Sequence, residues 1–187
     1  MPVTEITLLP GYDEDVRARL VNHVSRAVRS VIAAPAAGVT TVIFEAATYQ
    51  RDGRVFSSGN AAHPPAATCV MNFLAAMQAR ELDAAQAFLA DSFEMTFPGG
   101  QRMHALTKLV AWAKNRYERV EKTYTGIDES WTDAGTVVYA RGTLSGIWLD
   151  GRPFEGIRFI DRFEIQDGLI VKQDVWNDMG EYKLEHR

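Results

Sequence analysis

The chain has 187 residues, of which 47% are hydrophobic and 24% charged, and a net charge of −4, an ordinary globular composition. No basic patch argues for a nucleic-acid partner, no apolar run approaches the ~18 residues that span a bilayer, and no charged-then-apolar leader opens the chain. Cys69, the single cysteine, allows no intrachain disulfide and no cysteine-based metal site, so the expectation is a cytoplasmic protein without metal or cofactor, and Cys69 is a small core residue.

The first element is a strand over residues 3–9, Val-Thr-Glu-Ile-Thr-Leu-Leu, directly after Met1-Pro2. Loss of Met1 would make Pro2 a free secondary amine. An α-amino group titrates near about 7.7–8, and burial or a nearby cation lowers that value to give a base that is neutral near physiological pH. The bland alternative is that Met-Pro carries no chemistry. Asp13 is a plausible N-cap, with Glu14 and Asp15 at the favourable end of the helix dipole. Val16, Leu20, Val24, Ala27, Val28 and Val31 then form one apolar helix face that stops before Pro35. Val39–Glu45 reads as a second strand, parallel to the first because a helix separates them. A unit this small buries little core and needs partners, so a homo-oligomer is expected.

Residues 57–67, rich in Ser, Gly, Pro and Ala, read as a linker that divides the chain into domains 1–62 and 63–187. After it come helices, then strands, the order of an α+β fold. Helices are expected at about 67–80 (Val70, Phe73, Leu74 and Met77 inward), 84–89 and 105–119, the last with Leu106, Leu109, Val110, Ala113 and Tyr117 on one stripe. Ser92–Phe97 is a short strand. Four long strands follow at about 122–131, 136–148, 154–165 and 169–177, joined by Asp-Gly-type turns into a curled antiparallel meander.

Along strand 157–165, Ile157, Phe159, Asp161, Phe163 and Ile165 share one face, so Asp161 points into the apolar side. A carboxylate there must be hydrogen-bonded or protonated, and desolvation raises its pKa. Its partner depends on the next turn. A two-residue Asp167-Gly168 turn sets Asp161 opposite Asp174, and a three-residue Gln166-Asp167-Gly168 loop sets it opposite Gln173. Leu169, Val171 and Val175 favour the face of Gln173 and Asn177, which selects the three-residue loop, with Arg158 and Arg162 meeting Asp174 outside. Asp161, Gln173 and Asn177 then line one inner patch, with His104 and Tyr117 in reach of the same small-molecule cavity. The alternative is that Asp161 is a satisfied core acid.

Residues 2–56 resemble the oxalocrotonate tautomerase family through Pro2 after Met1, the short first strand, Gly11 with Asp13-Glu14 opening the helix, Pro35 after it, and Val39–Glu45. The resemblance implies an amino-terminal proline base acting on an enol or dienol acid, in dimers or hexamers of paired βαβ units. Tyr12 and Thr40 stand where that family has its substrate-binding arginines. Tyr49 is a shifted match to its aromatic residue, and Arg51, with Arg54 nearby, would replace the carboxylate clamp.

Residues 68–187 resemble the nuclear transport factor two-like superfamily, which includes ketosteroid isomerases and polyketide-cyclase-like proteins. Asn72–Ala76, Glu81–Asp83, Leu89–Phe93 and Phe159–Phe163 followed by Asp167–Ile170 carry the likeness. It implies a conical α+β barrel with a curved antiparallel sheet and three helices, with Asp161 at the position of the isomerases' protonated oxyanion-hole acid. Phe73 and Phe97 stand where an isomerase has its tyrosine and its base. The resulting expectation is an isomerase-type enzyme with catalytic Pro2 and Asp161. Its substrate-binding residues would be Tyr12, Arg51, His104, Tyr117, Gln173 and Asn177. The alternative is a non-catalytic ligand-binding protein whose first domain only oligomerises.

Overall fold

The computed structural model describes residues 1–56 and 62–185, and most of the Ser/Gly part of the expected linker lies outside them. The chain divides into two compact units, Met1–Ala62 and His63–Arg187.

In the first unit, β1 (Val3–Leu8) pairs in parallel with β2 (Thr40–Glu45), and α1 (Glu14–Val31) is the crossover. Asp13 caps α1, its carboxylate accepting from the Val16 N–H at 2.9 Å, with Glu14 and Asp15 in the first turn. Ser25 and Arg17 of α1 reach Thr41 (2.8 Å) and Glu45 (2.7 Å), which places one face of the sheet against the helix. The opposite face carries Val3, Val42 and Phe44, with Val3 and Phe44 exposed; among the described residues of the unit no helix lies over it, and α1 buries no residue. A separate hairpin, β3 (Tyr49–Arg51) and β4 (Arg54–Phe56), turns through Asp52-Gly53, both at positive φ.

The second unit opens with α2 (Ala66–Ala79) and α3 (Leu82–Gln86). Then come β5 (Leu89–Phe97), β6 (Gln101–Met103) and α4 (Leu106–Lys114), and the long strands β7 (Tyr117–Thr132), β8 (Gly135–Trp148), β9 (Pro153–Gln166) and β10 (Leu169–Asn177). A helix α5 (Met179–Glu185), absent from the sequence reading, closes the described chain and makes a fourth helix in this unit. The sheet order is β6-β5-β10-β9-β8-β7. It is not wholly antiparallel: β10 lies parallel to β5, because the helical and β6 segments carry the chain away from β5 before the meander returns to its edge. Phe73 of α2 meets Phe93 and Phe163 edge to face, with centroids 6.5 and 6.1 Å apart, and Cys69 is buried in the same core.

The second helix of this unit, α3, is shorter and earlier than the sequence suggests, the strand after it begins at Leu89 rather than Ser92, and two further differences bear on the site. Helix α4 ends at Lys114, and Tyr117 begins a strand rather than ending a helical stripe. The β9–β10 connection is the two-residue turn Asp167-Gly168, both at positive φ (49° and 81°), not the three-residue loop. The extra residue sits instead in a bulge between Ile170 and Lys172. Ile170, not Leu169, is therefore buried before the bulge, and Gln173 and Val175 face inward after it. Asp161 lies opposite Val175, neither Asp174 nor Gln173. Arg162 reaches Asp174 (3.4 Å) on the outer face, and Arg158 pairs with Asp178 (2.5 Å) rather than with Asp174.

Candidate functional site

The strict alternation of β9 places Ile157, Phe159, Asp161, Phe163 and Ile165 inside. Asp161 is 0% exposed and Gln173 3%, and they are the two polar residues of the described core. Facing them from β7, Val120, Lys122 and Tyr124 turn inward at every second residue. The Lys122 ammonium ion-pairs with Asp161 Oδ2 and lies 4.7 Å from the centroid of the Phe159 ring. Tyr124 meets that ring edge to face at 5.9 Å. Burial pushes the Asp161 carboxyl above its ordinary range, while Lys122 and Gln173 pull the other way. Burial, helped by the charge of Asp161, also raises the Tyr124 phenol.

Val120, Lys122, Tyr124 and Gln173 border a cavity of about 120 Å³. Its apolar wall comes from α2 (Phe73, Leu74, Met77), β5 (Phe97) and α4 (Leu109, Ala113), and its polar lining is Gln78, Arg80, Tyr117, Lys122, Tyr124 and Gln173. No carboxylate or histidine lines it: Asp161 stands behind Lys122, which presents the charge to the cavity. Asp161 Oδ1 and Gln173 Oε1 are buried without a hydrogen-bond partner. Two unsatisfied acceptors in one core patch are costly unless something else uses them.

Of the residues expected from sequence, Gln173 and Tyr117 line this cavity, and Asp161 stands behind it as the partner of Lys122. His104 does not. Its ring is largely exposed, with Nδ1 3.2 Å from the Phe93 carbonyl and Nε2 3.8 Å from Glu94, because its neighbour Met103 takes the inward position. Asn177 is also elsewhere, its side-chain oxygen accepting from the Met179 N–H at 3.2 Å at the start of α5. In the first unit, the Pro2 carbonyl accepts from the Thr40 N–H at 3.1 Å, which fixes the residue at the sheet's edge, and Met1 is 92% exposed. Tyr12 is half-buried in the loop before α1. Arg51 is exposed on the β3–β4 hairpin, and neither hydrogen-bonds to Pro2 among the described residues.

Sequence reasoning missed Lys122, Tyr124 and Arg80. The signal for the first two was the alternation Val120-Lys122-Tyr124, hidden when the preceding helix is extended through residue 119. Arg80 carries no periodic signal, since it sits at the left-handed C-cap of α2 (φ 62°). Among the described residues no three His, Cys, Asp or Glu side chains converge to hold a metal ion, and no helix is long and apolar enough to cross a membrane.

The SnoaL-like domain family matches residues 70–173, more than half of the chain, and the chain belongs to that family. The first unit lies outside the match. Among solved structures, an NTF2-like protein of unknown function from Burkholderia pseudomallei superposes with a TM-score of 0.55 at 18% identity, covering 64% of this chain and 95% of its own. TerC, co-crystallised with polyporic acid, gives 0.56 at 14% identity over 65% of this chain and 97% of its own. A putative polyketide cyclase from Xanthomonas campestris gives 0.51 at 19% identity over 63% and 93%. At these identities the likeness shows the NTF2-like fold. No curated protein matches the sequence.

Proposed function

We propose that the second unit binds a small, largely apolar carbonyl compound and stabilises its enolate, as an isomerase- or cyclase-type step requires. One observation carries this reading: an ammonium group, Lys122, stands at the wall of an apolar cavity, held by a fully buried carboxylate. A cation aimed at a carbonyl oxygen in a dry site favours the enolate over the ketone and makes the α-proton easier to lose to water at the mouth. Asp161 acts as a positioning residue, keeping Lys122 charged and in place. SnoaL-like membership and the putative polyketide cyclase among the structural neighbours support the same class of chemistry. Asp161→Asn, nearly isosteric, is expected to slow catalysed α-proton exchange of 2-tetralone in D2O, followed by NMR. A second reading, binding without turnover, is favoured by the lack of any carboxylate or histidine base in the cavity lining.

The first unit is proposed to add an amino-terminal proline base of tautomerase type, supported by Pro2 at the head of a parallel βαβ unit. Its uncovered sheet face with Val3 and Phe44 is proposed to pack on a second copy of the chain. Once Met1 is removed, which intact mass reports, Pro2→Ala is expected to abolish ketonisation of phenylenolpyruvate while sedimentation shows the same oligomer. Unchanged turnover in Pro2→Ala, or retention of Met1, would exclude the proline base.

A further inference from the structure

We infer that Lys122 is a covalent catalytic residue: its amine condenses with the carbonyl carbon of the bound ligand, and the second unit activates aldehydes and ketones as iminium ions. This rests on the reading of the cavity as a site for a carbonyl compound. The chain has five lysines, all in the second unit. Lys108, Lys114 and Lys183 are exposed, and Lys172 pairs with Asp174. Lys122 alone of the five lines the cavity, with 23% of its side chain exposed and its Nζ over the Phe159 ring.

An amine in an apolar pocket is a nucleophile once it gives up a proton. The acceptor for that proton is already in contact with it. Asp161 Oδ2 is the one hydrogen-bond acceptor of Nζ among the described residues, and Asp161 Oδ1 has no partner. Burial pushes the Asp161 carboxyl above its ordinary range, which favours the transfer. The steps then balance within the pair. Nζ gives one proton to Asp161, and its lone pair forms the C–N bond while the carbonyl π electrons move to oxygen. A second proton shifts from nitrogen to that oxygen. Asp161 returns the first proton, the C–O bond breaks and water leaves. The iminium nitrogen stands where the ammonium stood, again beside a carboxylate. An iminium withdraws electrons from the α-carbon more strongly than a hydrogen-bonded carbonyl does, so the α-proton leaves to water at the mouth and an enamine forms. That accounts for turnover at a site whose lining holds neither carboxylate nor histidine.

Sodium cyanoborohydride with 2-tetralone tests this on the full chain, because hydride reduces an iminium to a stable secondary amine that adds the ketone's mass less one oxygen. Proteolysis and mass spectrometry should place the adduct on Lys122, formed at least about tenfold faster than on the exposed Lys108 or Lys114. Lys122→Arg keeps the cation but cannot form an imine. It should give no adduct and lose the α-proton exchange of 2-tetralone, with the wild-type urea midpoint showing that the pair with Asp161 is intact. Asp161→Asn should slow adduct formation about a hundredfold, the weight of a lost general acid–base group. The wild-type adduct map and Asp161→Asn decide the matter even where Lys122→Arg does not fold. Wild-type exchange without an adduct on Lys122, an adduct confined to other lysines or the amino terminus, or full exchange in Lys122→Arg would overturn the imine and leave the carbonyl-binding reading standing. If the wild type shows neither exchange nor adduct, the imine and that reading fall together.

Discussion

Lys122→Met is expected to destabilise the second unit by about 3–5 kcal/mol, because it leaves the Asp161 carboxylate buried at 0% exposure without its counter-charge. All four tryptophans (Trp112, Trp131, Trp148 and Trp176) belong to this unit, so tryptophan fluorescence in urea follows it alone. The informative companion is Lys122→Met/Asp161→Leu, which removes both charges. A buried ion pair replaced by apolar residues of similar volume is often neutral or stabilising, so the double variant should recover most of the lost stability. It should also lose enolate stabilisation completely. A pair kept at the expense of stability is what a functional site produces, whereas a single Lys122→Met variant with the wild-type urea midpoint would contradict the buried pair itself.

The same pair predicts a pH slope. Burial raises the Asp161 pKa in the folded chain above the ordinary carboxylate value near about 4. Between those two values the folded state holds a proton that the unfolded state has released, so this group's contribution to stability falls as pH rises through the window. Asp161→Asn removes the titrating group, and its stability should gain on the wild type as pH is raised from about 4. Parallel curves for the two proteins would place the titration elsewhere.

Gly142→Ala is expected to cost about 3 kcal/mol, the upper end for overpacking a core position. A Cβ at residue 142 would sit 1.9 Å from the Thr123 carbonyl oxygen, a backbone atom of the paired strand that cannot swing aside. Gly142 is paired with Tyr124 on one side and Phe159 on the other, and their rings stack edge to face in the space it leaves. The substitution must either open the β7–β8 ladder or displace Tyr124, and in both cases Lys122, two residues away, loses its aim. A lower urea midpoint together with lost ligand binding is the expected pair of results. An unchanged midpoint would mean that the two strands are not packed so closely.

Much of this architecture is legible in the sequence, and its failures have physical causes. The period-two pattern of β9 places Asp161 inside because five alternate residues there leave one apolar face, and no competing pattern exists. The β10 register could not be read the same way. Hydrophobic alternation shows that a one-residue shift occurs between Asp161 and Gln173, but not whether the turn or the strand absorbs it, and here a bulge after Ile170 does. The sequence reading overextends helix α4 because Ala113 and Tyr117 continue a helical spacing, although the helix ends at Lys114 with Asn115 as its cap and Tyr117 starts an extended run. That one error concealed Lys122, which read as a strand end rather than an inward residue. Residue type alone suggests His104 for the cavity, and Asn177 follows from the alternation that puts it on the face of Gln173 and Val175. Their actual partners, the Phe93 carbonyl and the Met179 N–H, are local backbone groups that no periodicity announces.

The most direct test of the central claim is the rate of α-proton exchange of 2-tetralone in D2O with four proteins: the wild type, Lys122→Met, Asp161→Asn and Pro2→Ala. The account predicts exchange above the buffer rate with the wild type, loss of that excess in Lys122→Met and a marked reduction in Asp161→Asn. Exchange that is no faster than in buffer with the wild type, or undiminished in Lys122→Met, would contradict enolate stabilisation at this site; a loss confined to Pro2→Ala would assign the chemistry to the first unit.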